Sequence, residues 1–289
     1  MDTISITINE EYEGYTIKEY LKMNNVGRPK IENIRVSKSS YINGEYKDIE
    51  KRLKDGDVLS FVIDENIDFA CDDKPLEIVY EDDYLLAVNK PAGMIIHNDD
   101  KNTVGALANI VANYYKNKGI NRHVRYIHRI DKDTTGIVLF AKDFLTEAIL
   151  LKQMQENKIE KYYLAYVENR MKDSGTIDYN IGSDRHINGK MCVSKSGKEA
   201  HTTYKVIKRF KDYTLVRFGL ITGRTHQIRV HSSYIGNPIL GDVLYGGNMI
   251  YINRVALHFE NIRFTHPILC NIIDLHQKMP MDMERLYHD

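Results

Sequence analysis

Apolar and polar positions alternate along much of this chain with the two-residue period of strands. Ile4, Ile6 and Ile8 alternate with polar residues, as in an edge strand. The stretches 58–63, 77–80, 85–88, 161–167, 202–207 and 214–221 read as further strands, and Ile137 to Ala141 is apolar throughout, as in a strand buried on both faces. Helical spacing appears in fewer places. Thr16 caps a helix that buries Ile17, Tyr20 and Leu21, a second short helix covers Pro29 to Val36, and longer ones cover Val104 to Tyr115 and Phe144 to Glu156. Thr222-Gly223 opens another helix, capped by Thr222 or Thr225, that ends before Gly236; on it Thr225 and Arg229 share a face, as do Arg224, Ile228 and His231. Asn43-Gly44 predicts a tight hairpin turn, Lys54 to Asp57 a second turn, and Asn89 to Gly93 a third.

This rhythm predicts a strand-rich α+β protein rather than a doubly wound sheet. Two units are expected, 1–68 and 69–289, with the acidic stretch 64–83 as linker and entry to the second. The formal net charge is zero, from 40 basic and 40 acidic side chains, so overall charge announces no nucleic-acid partner. Its distribution is uneven. Lys116 to Lys132 holds six Lys or Arg against one acid, Lys205 to Arg217 five against one, and Asp64 to Asp83 one against nine. The basic blocks form a phosphate-binding groove only if folding unites them. Cys71, Cys192 and Cys270 are odd in number and widely spaced, which fits neither a disulfide framework nor zinc-ligand spacing and suits a reducing compartment. With no signal-peptide pattern and no apolar run of membrane-spanning length, a cytoplasmic protein is expected.

Candidate chemistry concentrates in three segments. Asp131 follows Arg125, His128 and Arg129 and precedes the Thr134-Thr135-Gly136 turn and the buried strand, which would hold the carboxylate and Arg129 on a rigid mount. An ordinary turn with a local ion pair is the competing reading. In 161–167, Lys161, Tyr163 and Ala165 share one strand face; the tyrosine is either core or a ring on which a base stacks. Thr222 to His231 crowds donors that are costly to bury unless they meet anions. His226 and His231, five apart, suit a metal poorly.

Taken together, these segments resemble the RluA-type RNA pseudouridine synthases, the large-subunit ribosomal RNA type. The family pattern His-Arg-Leu-Asp-x-x-Thr-Ser-Gly stands here as 128–136, with Ile130 for Leu and Thr135 for Ser. Val88 to Gly93, Glu160 to Ala165, Thr222 to His231, Gly236 to Asp242 and His266-Pro267 resemble further family motifs in the same order, over about 69–289. More weakly, 1–68 resembles the RNA-binding module of ribosomal protein S-four type, through the helix at Ile17 to Lys22 and the two turns. It departs in charge, with 10 basic and 14 acidic side chains in 1–70 and only Arg28 to Lys38 locally basic.

The resemblance implies the pseudouridine synthase fold, a mixed or antiparallel sheet with flanking helices. It implies isomerisation of specific uridines in structured RNA, ribosomal or transfer RNA, to pseudouridine, with no cofactor and no metal, by a protein expected to be a monomer. Asp131 would be the catalytic carboxylate, Arg229 its cationic partner, and Tyr163 the ring that stacks on uracil and helps remove the carbon-5 proton. Arg129 would fill the space left by the flipped base, with His128, Lys161, Arg224 and His226 in substrate binding. A catalytically silent RNA-binding protein of the same fold and a metal-dependent hydrolase using His226, His231 and Asp131 are the rival readings.

Overall fold

Asn43 and Gly44 both adopt left-handed backbone, with φ of 52° and 82°, as a two-residue hairpin turn between Ser40–Ile42 and Glu45–Tyr46 demands. The structure, a computed structural model, describes residues 2–288. The hairpin belongs to a four-stranded antiparallel sheet in the order Asp2–Thr7, Val58–Ile63, Ser40–Ile42, Glu45–Tyr46, so the Ile4 strand does lie at an edge. Helices Ile17–Met23 and Arg28–Val36 belong to the same unit. The first begins with a capping box: Thr16 Oγ1 accepts from the Glu19 amide at 3.1 Å, and the Glu19 carboxylate accepts from the Thr16 amide at 2.8 Å.

A second, ten-stranded sheet carries the rest of the fold. Its main path runs Ser174–Asp178, His201–Arg209, Tyr213–Leu220, Glu160–Glu168, Leu257–Thr265, Thr135–Ala141, Leu85–Lys90, Ile78–Glu81. The pairing of Leu257–Thr265 with Thr135–Ala141 is parallel and the others are antiparallel, so the sheet is mixed. All seven residues of Thr135–Ala141 are buried. Its second residue is Gly136, with φ +115°, where an added Cβ would stand 2.3 Å from the Phe259 carbonyl oxygen. Only glycine permits both the backbone angle and this approach.

Helix Phe144–Gln155 joins the two units. Phe144, Leu145 and Ala148 complete the core of the small sheet, while Leu150 and Met154 pack into the core of the large one. Ion pairs reinforce the contact. Arg125 reaches Glu65 at 2.5 Å and Glu147 at 3.1 Å, and Arg122 makes a two-pronged contact with Asp2 at 2.7 and 2.8 Å. No helix among the described residues is long and apolar enough to cross a membrane.

Three expectations need correction. Strands Ser174–Asp178, Leu257–Thr265 and Ile272–His276 were not anticipated. The helix expected from Val104 starts at Leu107, with Asn109 Oδ1 accepting from the Ala106 amide. The helix after Thr222 starts only at Gln227, because His226 takes a left-handed φ of 56°. Arg224 and Thr225 therefore precede it and share no helical face with His231 or Arg229. Neither Thr222 nor Thr225 caps it; the Thr222 hydroxyl accepts from the His201 amide and donates to Gln227 Oε1.

Candidate active site

A cavity of about 560 Å³ opens where the Asp131 turn, strand Glu160–Glu168 and the start of helix Gln227–Tyr234 converge. All eight side chains expected from the sequence line it: His128, Arg129, Asp131, Lys161, Tyr163, Arg224, His226 and Arg229.

Asp131 and Arg229, 98 residues apart, meet directly. Arg229 Nη1 donates to Asp131 Oδ2 at 3.0 Å. The same guanidinium is clamped from behind by Asp242, 1% exposed, which accepts from Nε at 2.7 Å and from Nη2 at 2.9 Å. Such a fork fixes the guanidinium plane as well as its position. Burial alone would weaken the arginine's charge, but the bonds to Asp242 and the charges of Asp242 and Asp131 outweigh it and push its pKa up. His226 Nε2 also faces Asp131 Oδ2, at 3.7 Å. Both partners thus approach one carboxylate oxygen, and among the described residues none bonds the other, Oδ1.

Tyr163 forms the wall beside this carboxylate. Its ring stacks on Phe259 with centroids 4.3 Å apart and planes 11° from parallel. Burial, and then the charge of Asp131, push the phenol's pKa up. At neutral pH it is a neutral donor, and no hydrogen bond among the described residues occupies its hydroxyl. Lys161, one step along the same strand face, is 8% exposed and has no ion partner among the described residues, so burial lowers its pKa.

His128 is placed differently from a ligand-binding histidine. Its Nε2 accepts from the Leu139 amide at 3.2 Å, and its ring meets Phe259 edge-on. Burial, aided by the charge of Lys161, pulls its pKa down to about 3, so the imidazole is neutral. Arg129 is exposed at the rim, held by no hydrogen bond or ion pair among the described residues. Arg224 also lies at the rim, its Nε donating to the Glu199 carbonyl at 2.8 Å.

The turn that carries Asp131 is anchored from below. Lys90, fully buried, donates to the carbonyls of Pro91, Met94 and Lys132 at 2.9, 2.8 and 2.9 Å. It pins the Asn89–Gly93 turn to the residue after Asp131. Sequence reasoning missed Lys90, Asp242, Tyr245 and Phe259 as parts of the site. The first two stand inside stretches that resemble family motifs, and a buried charge is the signal they carried.

The two basic blocks do not unite here. Arg129 and Lys132 of the first reach the cavity, whereas Arg122 and Arg125 are spent on Asp2, Glu65 and Glu147. None of Lys205 to Arg217 lines it; Arg209 pairs with Asp173 and Arg217 with Glu260. His231 does not line it either. Its Nδ1 bonds the Thr202 hydroxyl and its Nε2 the Tyr179 carbonyl, each at 2.9 Å. With both ring nitrogens committed, the hydrolase reading loses a ligand.

The cavity thus brings together a carboxylate with one unbonded oxygen, an arginine fixed behind it and an aromatic ring. The chain belongs to the RNA pseudouridine synthase family, whose members are isomerases acting on RNA. The family model for RNA pseudouridylate synthase matches residues 84–234, and that for the RluD ribosomal pseudouridine synthase N-terminal domain matches residues 4–59. An uncharacterized RNA pseudouridine synthase of Bacillus subtilis (strain 168), YhcT, is 35% identical over 98% of this chain and 96% of its own length. Ribosomal large subunit pseudouridine synthase D of Pasteurella multocida (strain Pm70) is 33% identical over 85% of this chain and 81% of its own. The fold is also that of human RNA pseudouridylate synthase domain containing 4, with a TM-score of 0.62 and 24% identity over 73% of this chain and 92% of that one.

Proposed function

We propose that this protein converts specific uridines of ribosomal RNA to pseudouridine, with Asp131 as the catalytic carboxylate. The observation that carries the reading is the asymmetry of Asp131 in the cavity it lines with Tyr163: Oδ2 is held by Arg229, while Oδ1 is bonded by none of the described residues. In the reaction the bond between uracil N1 and the sugar C1′ breaks, the base turns, and C5 bonds to C1′. The C5 proton leaves and N1 gains one, so atoms and electrons balance without an oxidant or a cofactor. Oδ1 is the oxygen that meets the sugar or base as the bond breaks, as nucleophile or as electrostatic partner. Arg229, fixed by Asp242, holds the carboxylate in place.

Tyr163 offers its ring to the uracil. Burial and the charge of Asp131 keep its phenol protonated in the resting site, where it serves as contact and donor. Arg129, free at the rim, fills the space the flipped uridine vacates. Lys161, buried beside Tyr163, meets a base oxygen, and Arg224 meets phosphate at the mouth. Ribosomal RNA is favoured over transfer RNA because relatives of this chain are named for the large ribosomal subunit. The reading has the protein act as a monomer in the cytoplasm, in keeping with three free cysteines.

Asp131→Asn tests the assignment. The variant should melt like the parent and form no pseudouridine on ribosomal RNA, read by tritium release from uridine labelled at carbon 5. Substantial turnover by a folded variant would sink it. Mapping pseudouridines in cellular RNA with and without the protein tests the choice of RNA.

A further inference from the structure

Tyr245 is 7% exposed and is not a lining residue of the cavity, yet it touches the site from several sides. Its hydroxyl accepts from the Met191 amide at 2.9 Å and lies 2.9 Å from His226 Nδ1. Its ring meets the His226 ring edge-on at 5.7 Å and lies 5.0 Å from the Arg229 guanidinium carbon. Its carbonyl accepts from the Ser233 hydroxyl at 2.6 Å. Met191 belongs to the hairpin of Ile181–Ser183 and Met191–Val193, whose Lys190 ammonium lies 5.5 Å from the same ring.

A phenol has one proton to give and lone pairs to receive. The Met191 amide takes a lone pair. Among the described residues His226 Nδ1 is the acceptor within reach of the phenol's proton. If Tyr245 donates to Nδ1, the proton of the neutral imidazole sits on Nε2, the nitrogen that faces Asp131 Oδ2. The groups facing this imidazole are Asp131, Arg229, Asp242 and Tyr245. Burial favours its neutral form, against the pull of Asp131.

We infer that Tyr245 is a positioning residue for the isomerisation: it fixes His226 as the Nε2–H tautomer, aims that donor at Asp131 Oδ2, and ties this arrangement to the hairpin 181–193. With Nε2–H turned toward Oδ2 across 3.7 Å, that side of the carboxylate faces two cationic or donor groups and Oδ1 is left for the substrate. Met191 supplies the hydroxyl's other bond, so the hairpin takes part in holding Tyr245. The inference rests on the reading of Asp131 as the catalytic carboxylate.

The test has two readouts. In the resting protein, histidine-selective nitrogen NMR, assigned with His226→Gln, should show His226 Nδ1 unprotonated and Nε2 protonated. In Tyr245→Phe the imidazole signal should change, and the single-turnover rate at saturating RNA should fall by about tenfold to a hundredfold, a range typical when a partner orienting a functional imidazole is lost. RNA affinity should stay within about threefold, since no uniform binding is removed. A wild-type Nδ1–H tautomer overturns the inference even if the variant fails to fold. An unchanged rate at saturating RNA in a folded Tyr245→Phe overturns it as well. The NMR result does not depend on what Asp131 does, and Asp131→Asn is judged by activity, so the two claims fail separately.

Discussion

Asp242→Asn keeps the shape of a side chain that touches no substrate and removes its charge. Asp242 gives Arg229 two bonds, at 2.7 and 2.9 Å, from a position 1% exposed. Hydrogen bonds to charged groups contribute about 1.5–3 kcal/mol each. The asparagine keeps one acceptor oxygen but turns an NH2 group toward a guanidinium NH, so one bond is lost and a donor opposes a donor. A loss of about 2–4 kcal/mol follows, short of the larger penalty of leaving a buried charge with no partner. The guanidinium then rotates away from its plane or leans further on Asp131, and either movement disturbs the Nη1–Oδ2 contact. If the whole loss appears in the transition state, the rate falls by roughly 30-fold to 1,000-fold, at about 1.4 kcal/mol per factor of ten. The assay is single-turnover tritium release with enzyme in excess, alongside thermal melting. A folded Asp242→Asn protein working within about threefold of the parent rate would refute the view that Asp242 holds Arg229 for catalysis.

Lys90 and Arg129 give contrasting expectations. Burial, opposed by the charges of Asp133 and Asp131, pulls the Lys90 pKa from its ordinary 10.5 to about 8. The unfolded chain therefore binds more protons between those values, so stability should rise with pH through that window, with the penalty complete below about pH 8. That rise amounts to about 3 kcal/mol; Lys90→Met should lack it, and equal slopes in urea titrations of both proteins at pH 7.5 and 10 would refute the assignment. Arg129→Ala should shift stability by no more than about 0.5 kcal/mol while slowing reaction on folded RNA about tenfold or more, since unstacking a base costs a few kcal/mol. A short unstructured RNA should be affected much less, and equal loss on both substrates would argue against base displacement.

What could be read in advance follows from where the determining interactions lie. The Asn43-Gly44 turn, the Thr16 cap and the buried strand at Ile137 to Ala141 are set by neighbours in sequence, and each was legible. Leu257–Thr265 was not, although it lies near the middle of the large sheet. It carries buried His258 and Asn261, whose polarity breaks the apolar pattern. Their partners, Thr135, Gln277, Asp274 and Leu275, come from elsewhere in the chain. His226 defeated the helical reading of Thr222 to His231 for a related reason. Its left-handed backbone accompanies bonds made across the fold, by its own ring to Tyr245 and by Gln227 to Thr202 and His201. The motifs brought eight of the lining residues to notice, but the residues that hold them, Asp242 and Tyr245 above all, act at a distance no local window spans.

The glycine at the head of strand Thr135–Ala141 bears on the width of the site. Five residues after Asp131, Gly136 lies against the backbone of Phe259, and the Phe259 ring lies flat on Tyr163. The carboxylate and the aromatic wall beside it are thus braced through a backbone contact. Their spacing is gauged by the absence of a single carbon atom. A methyl group there would act as a shim between two jaws, widening the gap by an amount no side chain in the cavity could take up, and a planar base would lose its grip on one side or the other.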